Sequence, residues 1–279
     1  MNDPNSPIDF NQQNAFERDK LLNFDPITHT YTLEGNPTPL HSVTNVVSTF
    51  FPQFDIASWS FHKAQKEGRT QDDVIREWER NGHIARNLGT FMHKQIENKF
   101  NGRPVEQSFE LPMSEEEALN LNISEELKYF DDFLYDVRPT PFRTEWKVYN
   151  DEHFLAGTLD LLATNHNGEY VLFDWKRSKR MGKEDGYGFE PNNYNPYQSG
   201  LNGLKHLSCT PFVIGCLQQN LYRYILEQSY GISVKQMNLV MLSTIFSRYH
   251  CVPVPRMDKE VDIILSYLKG MDQNESTQD

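Results

Sequence analysis

Between Pro141 and Lys176 the chain reads as three β-strands in succession, and the second and third each carry an aspartate among apolar neighbours. The runs FRTEWKVY at 142–149, FLAGTLDLLA at 154–163 and EYVLFDWK at 169–176 have the β-branched and aromatic content of strands. Asp160 lies inside GTLDLLA, where a lone ionised carboxylate is costly to bury unless another charge compensates it. A metal ion would do so. Because strand side chains alternate, Asp174 and Lys176 are expected on one face of their strand and Trp175 on the other.

The turn between the last two strands decides whether the two aspartates meet. If TNHNG closes through His166, Asn167 and Gly168, with Gly168 left-handed, then Asn165 opposes Glu169 and Asp160 opposes Asp174. Opposed side chains on one face have Cβ atoms roughly 5 Å apart and like charges there destabilise, so facing carboxylates call for a shared cation. A two-residue turn at Asn167 and Gly168 would slip the register by one and point the aspartates apart.

D-x-K alone is a common chance pattern, and its weight comes from the flanking helices. In the run from Leu88 to Phe100, Gly89, His93 and Glu97 form G-T-x-x-H-x-x-x-E, which puts the imidazole and the carboxylate on one helix face. Downstream, Gln218 and Tyr222 are four apart on a helix expected from Phe212 to Tyr230 and stopped by Gly231. Core packing accounts for the Leu221, Ile225 and Leu226 of that helix, but not for all these patterns in this order.

Around this centre, residues 24–36 alternate like a hairpin closed by Gly35 and Asn36. Helical patterning runs from Pro39 to Phe51 and from Asp72 to Glu79, through Val43, Val46, Val47 and Trp78, with a loop-like KEGRT between. Ser124 to Val137 is an amphipathic helix through Leu127, Phe130 and Leu134, ended by Pro139 and Pro141. The polar segment 182–203 is expected as a substrate-facing loop, QMNLVMLST and RYHCVPVP as strands, Lys259 to Leu268 as a last helix, and 271–279 as a disordered tail. This order predicts an α/β fold in which a mixed central β-sheet is flanked by helices, with an N-terminal hairpin and helical extension.

The net charge of −12 argues at first against a nucleic-acid partner, because phosphate binding depends on Lys and Arg. The acids are concentrated, however: residues 105–137 hold ten Asp or Glu against Lys128 alone. Elsewhere Lys176, Arg177, Lys179, Arg180 and Lys183 make a local basic cluster able to meet a phosphate backbone. Tyr187, Phe189, Tyr194 and Tyr197 near it are candidates for stacking on unpaired bases. The scattered Cys209, Cys216 and Cys251 fit a reducing compartment, with no disulfide framework or zinc knuckle implied. The first twenty residues lack the apolar core of a secretion signal, and no run is long enough to cross a bilayer, so an intracellular, soluble protein is expected.

Taken together, GTFMHKQIE, GTLD, FDWKRSK and QQNLY resemble the PD-(D/E)XK nuclease superfamily, in particular its RecB-like exonuclease branch with the mitochondrial genome maintenance exonucleases. HTYTLEGNPTPLHSVTNVV is similar to the N-terminal part of virus-encoded and bacterial relatives. The resemblance implies a restriction-endonuclease-like αβββαβ core over residues 87–270, with residues 1–86 as an extension packed on it. It implies that Asp160, Asp174 and the Trp175 carbonyl bind Mg²⁺ or Mn²⁺ with His93 as a further ligand, and that Lys176 orients or deprotonates the attacking water and steadies charge on the phosphate. Glu97 is a possible second-metal ligand, Glu145 a support from the first strand, and Gln218 and Tyr222 contacts to the lysine and the DNA, with Arg177, Lys179 and Arg180 also toward the nucleic acid.

The function so implied is a Mg²⁺-dependent deoxyribonuclease, a single-strand or end-dependent exonuclease of DNA replication, repair or recombination. Three scattered cysteines supply no four-cysteine iron–sulfur cluster, and without a P-loop there is no nucleotide cofactor, so a helicase or replication partner would be a separate protein. The 182–203 segment is longer than the branch leads one to expect. The alternatives are a structure- or sequence-specific endonuclease of the same superfamily and a catalytically silent nucleic-acid-binding module. An unrelated iron enzyme has no 2-His-1-carboxylate match here.

Overall fold

The computed structural model describes residues 9–185 and 188–275. The chain begins with α1 (Phe10–Gln13), a 3-10 turn, strands β1 (Leu22–Asp25), β2 (Thr30–Leu33) and β3 (His41–Ser42), and helices α2 (Val43–Thr49), α3 (Ile56–Glu67) and α4 (Gln71–Phe100). There follow β4 (Ser108–Pro112), β5 (Ala118–Asn122), α5 (Ser124–Val137), β6 (Thr140–Asn150), β7 (Leu155–Thr164), β8 (Tyr170–Lys176), β9 (Gly182–Asp185) and β10 (Gly188–Pro191). The chain ends with α6 (Pro211–Ser229), β11 (Val234–Met241), β12 (His250–Pro253) and α7 (Asp258–Glu275). Among the described residues no helix is long and apolar enough to cross a membrane.

The central sheet has six strands in the order β12-β11-β8-β7-β3, with β6 on the other side of β7. The β8–β11 and β3–β7 pairs are parallel and the rest antiparallel, which makes the mixed α/β sheet expected from the sequence. One apolar layer joins one face to α2, α6 and α7 through residues such as Val47, Leu221 and Ile264. A second joins the other face to α4 and α5 through Met92, Ile96, Phe130 and Phe133.

The turn closes as counted. Asn165 N donates to the Glu169 carbonyl (3.0 Å), Gly168 N to that of Asn165 (2.9 Å), and Gly168 takes φ +77°. Pairing from Thr164↔Tyr170 to Leu161↔Phe173 follows the three-residue turn, and there it stops. Beyond it β3 takes the same edge of β7, pairing with Leu155 and Ala156, so residues 157–160 of β7 have no strand on that side. Tyr222 fills part of the gap, because Gly157 leaves its ring room: a Cβ there would sit 2.8 Å from Cε1.

On its other side β7 pairs with β6 through Thr144↔Leu161 and Trp146↔Leu159, which brackets Glu145 and Asp160. At that point both strands change face: Leu161 packs in the α4–α5 layer, whereas Leu159 and Trp146 pack in the α2–α6–α7 layer. Glu145 makes the reversal with φ +44°, a left-handed conformation that costs a non-glycine residue roughly 1–2 kcal/mol.

Several expectations need correction. The N-terminal hairpin turns at residues 26–29, and Gly35 (φ +75°) with Asn36 instead leads the chain out of β2. The helices read as separate at 72–79 and 88–100 are one helix, α4, started by Thr70 accepting from Asp73 N; Gly82 costs only about 1 kcal/mol there, too little to break it. α4 runs unbroken through residue 86, and β3, from the expected extension, pairs in the central sheet. The helix α3, capped by Gly68 in the left-handed region, occupies most of what lay between those readings. The 182–203 segment, expected as a loop, holds the β9–β10 hairpin, and the acidic stretch adds the β4–β5 hairpin ahead of α5. α7 continues through Gly270 to Glu275, into the expected tail, and residues 276–279 lie outside the described residues.

Glycine normally weakens a strand relative to alanine by about 0.5–1 kcal/mol, and Glu145 should invert that order. Glu145→Gly and Glu145→Ala lose the same carboxylate and differ in backbone freedom at φ +44°. Urea unfolding should find the glycine variant more stable by about 1 kcal/mol; the usual order would mean the reversal is not held in solution.

Candidate active site

The unpaired stretch of β7 and the face reversal bring two acids and an imidazole from three elements to one spot. His93 on α4 places Nδ1 3.5 Å from Glu145 Oε1 and 3.4 Å from Asp160 Oδ1, and its Nε2–H donates to the Trp175 carbonyl at 3.1 Å. Asp160 Oδ2 accepts from Trp175 N at 2.8 Å, so the carboxylate takes over where β7–β8 pairing ends. One donor atom each from His93, Glu145 and Asp160 lies within 4.8 Å of the others. Asp174, expected as a second carboxylate ligand, stays outside this group and meets Lys176 instead, with Nζ 2.5 Å from its Oδ2. The D-x-K alternation holds: Lys176 lies by Gly215 of α6, while Trp175 packs in the α4–α5 layer.

Burial sets the electrostatics. It pushes the Asp174 carboxyl up to about 6, against the pull of Lys176 and with a push from Asp160. For Asp160 burial also pushes upward, but the His93 charge, its contact, Lys176 and the Trp175 N–H outweigh it and the carboxyl is held below its ordinary range. Burial raises Glu145 too, partly offset by His93. Burial disfavours the charged forms of His93 and Lys176, yet Asp160 and Glu145 hold the imidazole well above its ordinary value, and Asp174 and Asp160 hold the ammonium above its own.

The cluster opens on a groove of about 520 Å³ lined by Gly89, Thr90, His93, Glu97 and Glu145. Beside it, a depression of about 280 Å³ is lined by Tyr31, Gly157, Gln218 and Tyr222; Glu145 and Lys147 border both. Gln218 Nε2 donates to Thr44 Oγ1 (3.2 Å) and to the Tyr222 hydroxyl (3.4 Å), so the α6 pair lines the way to the acids. Glu97 faces the groove but is engaged by Lys94 (2.7 Å) and Arg103 (3.5 Å).

The basic cluster divides. Arg177 Nε donates to the buried Glu126 of α5 at 2.7 Å, and Lys183 pairs with Glu190 at 2.8 Å, whereas Lys179 and Arg180 are exposed and in no ion pair among the described residues. Phe189 is packed on Phe246 and His250, so it is not free to stack on a base; Tyr187 lies outside the described residues. The sequence reading left Glu145 as a support and missed Lys147, though both alternate outward on the first strand read.

The donor set fits a hard divalent cation. Two carboxylates and an imidazole converge, and the Trp175 carbonyl holds the ring by accepting from Nε2–H. Such acids are costly to hold together without a cation, and oxygen-rich ligands suit Mg²⁺ or Mn²⁺. His93, Glu145 and Asp160 would hold the ion. Lys176 is placed to meet a negative group beside it.

Because Glu126 is 2% exposed, Arg177→Ala would leave a buried carboxylate without its counter-charge. Urea unfolding should register a loss of up to about 3 kcal/mol; unchanged stability with weakened DNA binding would instead return Arg177 to the basic surface.

No family model and no curated protein matches the chain. Among solved structures it is similar to one described as the crystal structure of SSO0001, at 12% identity over 84% of this chain and 76% of that one, with a TM-score of 0.31. A likeness that slight carries no argument about function.

Proposed function

We propose that this chain is a metal-dependent deoxyribonuclease of the PD-(D/E)XK, RecB-like kind, acting on single strands or free ends. The observation that carries the reading is the convergence of His93, Glu145 and Asp160 within 4.8 Å, beside the Asp174–Lys176 ion pair, with His93 and Glu145 opening on a groove. Buried acids next to a held lysine have no use in a surface that only binds phosphate, which is why catalysis is preferred to a silent binding module.

In this reading His93, Glu145 and Asp160 would hold Mg²⁺ or Mn²⁺, and the Trp175 carbonyl would orient the imidazole by accepting from its Nε2–H. Bound there, the cation supplies a Lewis acid for the phosphate and makes water a better nucleophile at neutral pH. Lys176, kept protonated by Asp174 and Asp160, meets the negative charge that grows on the phosphate. Asp174 keeps the ammonium aimed across the α6 face rather than into solvent. Gln218, Tyr222 and Lys147 line the approach, where a DNA backbone would be steered past the acids.

End-labelled single-stranded, duplex and circular DNA incubated with Mg²⁺, Mn²⁺ or EDTA tests this. Metal-dependent loss of linear DNA is expected, falling at least about a hundredfold in Asp160→Ala and in Lys176→Ala. Cutting of circles would mean an endonuclease, and survival of every DNA with both cations would overturn the reading.

The pH dependence has a fixed sign. His93 is protonated below its raised pKa, and a cation must displace that proton, so apparent Mn²⁺ affinity should rise with pH by up to about tenfold per unit and level off above the His93 pKa. Calorimetric Mn²⁺ titration between about pH 6 and about pH 8 would measure this; affinity independent of pH would exclude His93 from the ligands.

A further inference from the structure

Five Phe, Tyr or Trp side chains among the described residues are more than half exposed, and four of them, Phe54, Trp59, Tyr194 and Tyr197, line one trough of about 850 Å³. Exposed aromatics scattered singly need no explanation, but four converging on a single concavity from chain segments far apart in sequence mark a binding surface. Phe54 and Trp59 stand at the start of α3 with their rings stacked 6.5 Å apart and 8° from parallel, while Tyr194 and Tyr197 come from the stretch after β10.

The two walls are built, not loose. Asn195 donates to the Cys209 carbonyl (2.8 Å) and accepts from Tyr197 N (2.9 Å) and Gln198 N (3.2 Å), which ties down the backbone between the two tyrosines. Leu201 N donates to the Phe50 carbonyl at 2.8 Å and so ties that stretch to the end of α2, just ahead of Phe54. Lys179 and Arg180 line the trough without ion-pair partners among the described residues, while the acid that lines it, Glu190, is neutralised by Lys183. The trough therefore offers stacking faces beside unspent positive charge.

It also leads to the acids. Ile214 of α6 lines the trough, and Gln218 and Tyr222, at spacings of four along the same helix face, line the depression that Glu145 borders. Ile214 and Tyr222 are thus about 12 Å apart along α6.

We propose that the trough holds unpaired nucleotides of a single-stranded DNA, bases stacked on Phe54, Trp59, Tyr194 and Tyr197 and phosphates against Lys179 and Arg180, with the strand continuing along α6 to the acids. The proposal rests on the nuclease reading for what lies at the far end of the strand, and on the trough itself for its chemistry. Single strands are specified because bases in a duplex are already stacked on one another and cannot spread over aromatic side chains.

The test is binding of a fluorescent oligodeoxythymidine about a dozen nucleotides long to the full chain in EDTA, with a blunt duplex of equal length for comparison. Trp59→Ala and Tyr197→Ala should each weaken the single strand about tenfold or more, Trp59→Phe should keep most of the affinity, and duplex binding should stay as in the wild type. Tyr197 is 88% exposed, so its variant reports on the trough even if α3 is disturbed by the other. Single-strand affinity unchanged in both alanine variants overturns the proposal. If hydrolysis is intact and binding ignores these residues, the trough proposal alone fails. If binding depends on them but no cation supports hydrolysis, the nuclease reading alone fails.

Discussion

Everything at the candidate site follows from one strand that changes neighbours partway along. β7 holds β3 at its first residues and β8 at its last, and between them residues 157–160 leave one edge unpaired. Backbone groups left open in a sheet need other partners, and the Asp160 carboxylate supplies one by accepting from Trp175 N. The same divergence brings α4, β6 and β8 close enough for His93 to reach Glu145, Asp160 and the Trp175 carbonyl. Strain at Glu145 and burial of several acids are tolerated because the surrounding layers, packed on both faces, fix the strands where they part.

What could be read from the sequence was what local chemistry encodes. Gly168 at the end of TNHNG implies a left-handed residue, and a three-residue turn then fixes the β7–β8 pairing by counting alone. The opposite projection of Trp175 follows from strand alternation, and Gly231, at φ +67°, follows the end of α6. The site residues that escaped depend on partners distant in the chain. Nothing near Glu145 announces a left-handed residue in mid-strand, and nothing near Arg177 points to Glu126, 51 positions away. The trough was half visible as tyrosines near basic residues, but its other wall comes from α3, in a stretch the periodicity had not resolved.

Part of the acidic stretch that dominates the net charge is paired within the molecule, although Glu126 alone of its ten acids is buried. Glu126 holds Arg177, Asp131 pairs with Lys99, Glu117 with Arg80, and Asp136 accepts from the Tyr249 hydroxyl at 2.7 Å. These contacts join α5 and the β4–β5 turn to α4 and to the β8 and β12 ends of the sheet. A formal charge of −12 is compatible with the exposed Lys179 and Arg180 in the trough, because acids concentrated in one stretch leave other surfaces their own local sign.

The central claim, that the parted strands form a cation site completed by an imidazole, is tested most directly by electron paramagnetic resonance of Mn²⁺ added to the protein. The account predicts one tightly bound Mn²⁺ per chain with a nitrogen hyperfine coupling that disappears in His93→Gln. Absence of bound Mn²⁺, or a nitrogen coupling that persists in His93→Gln, would contradict it.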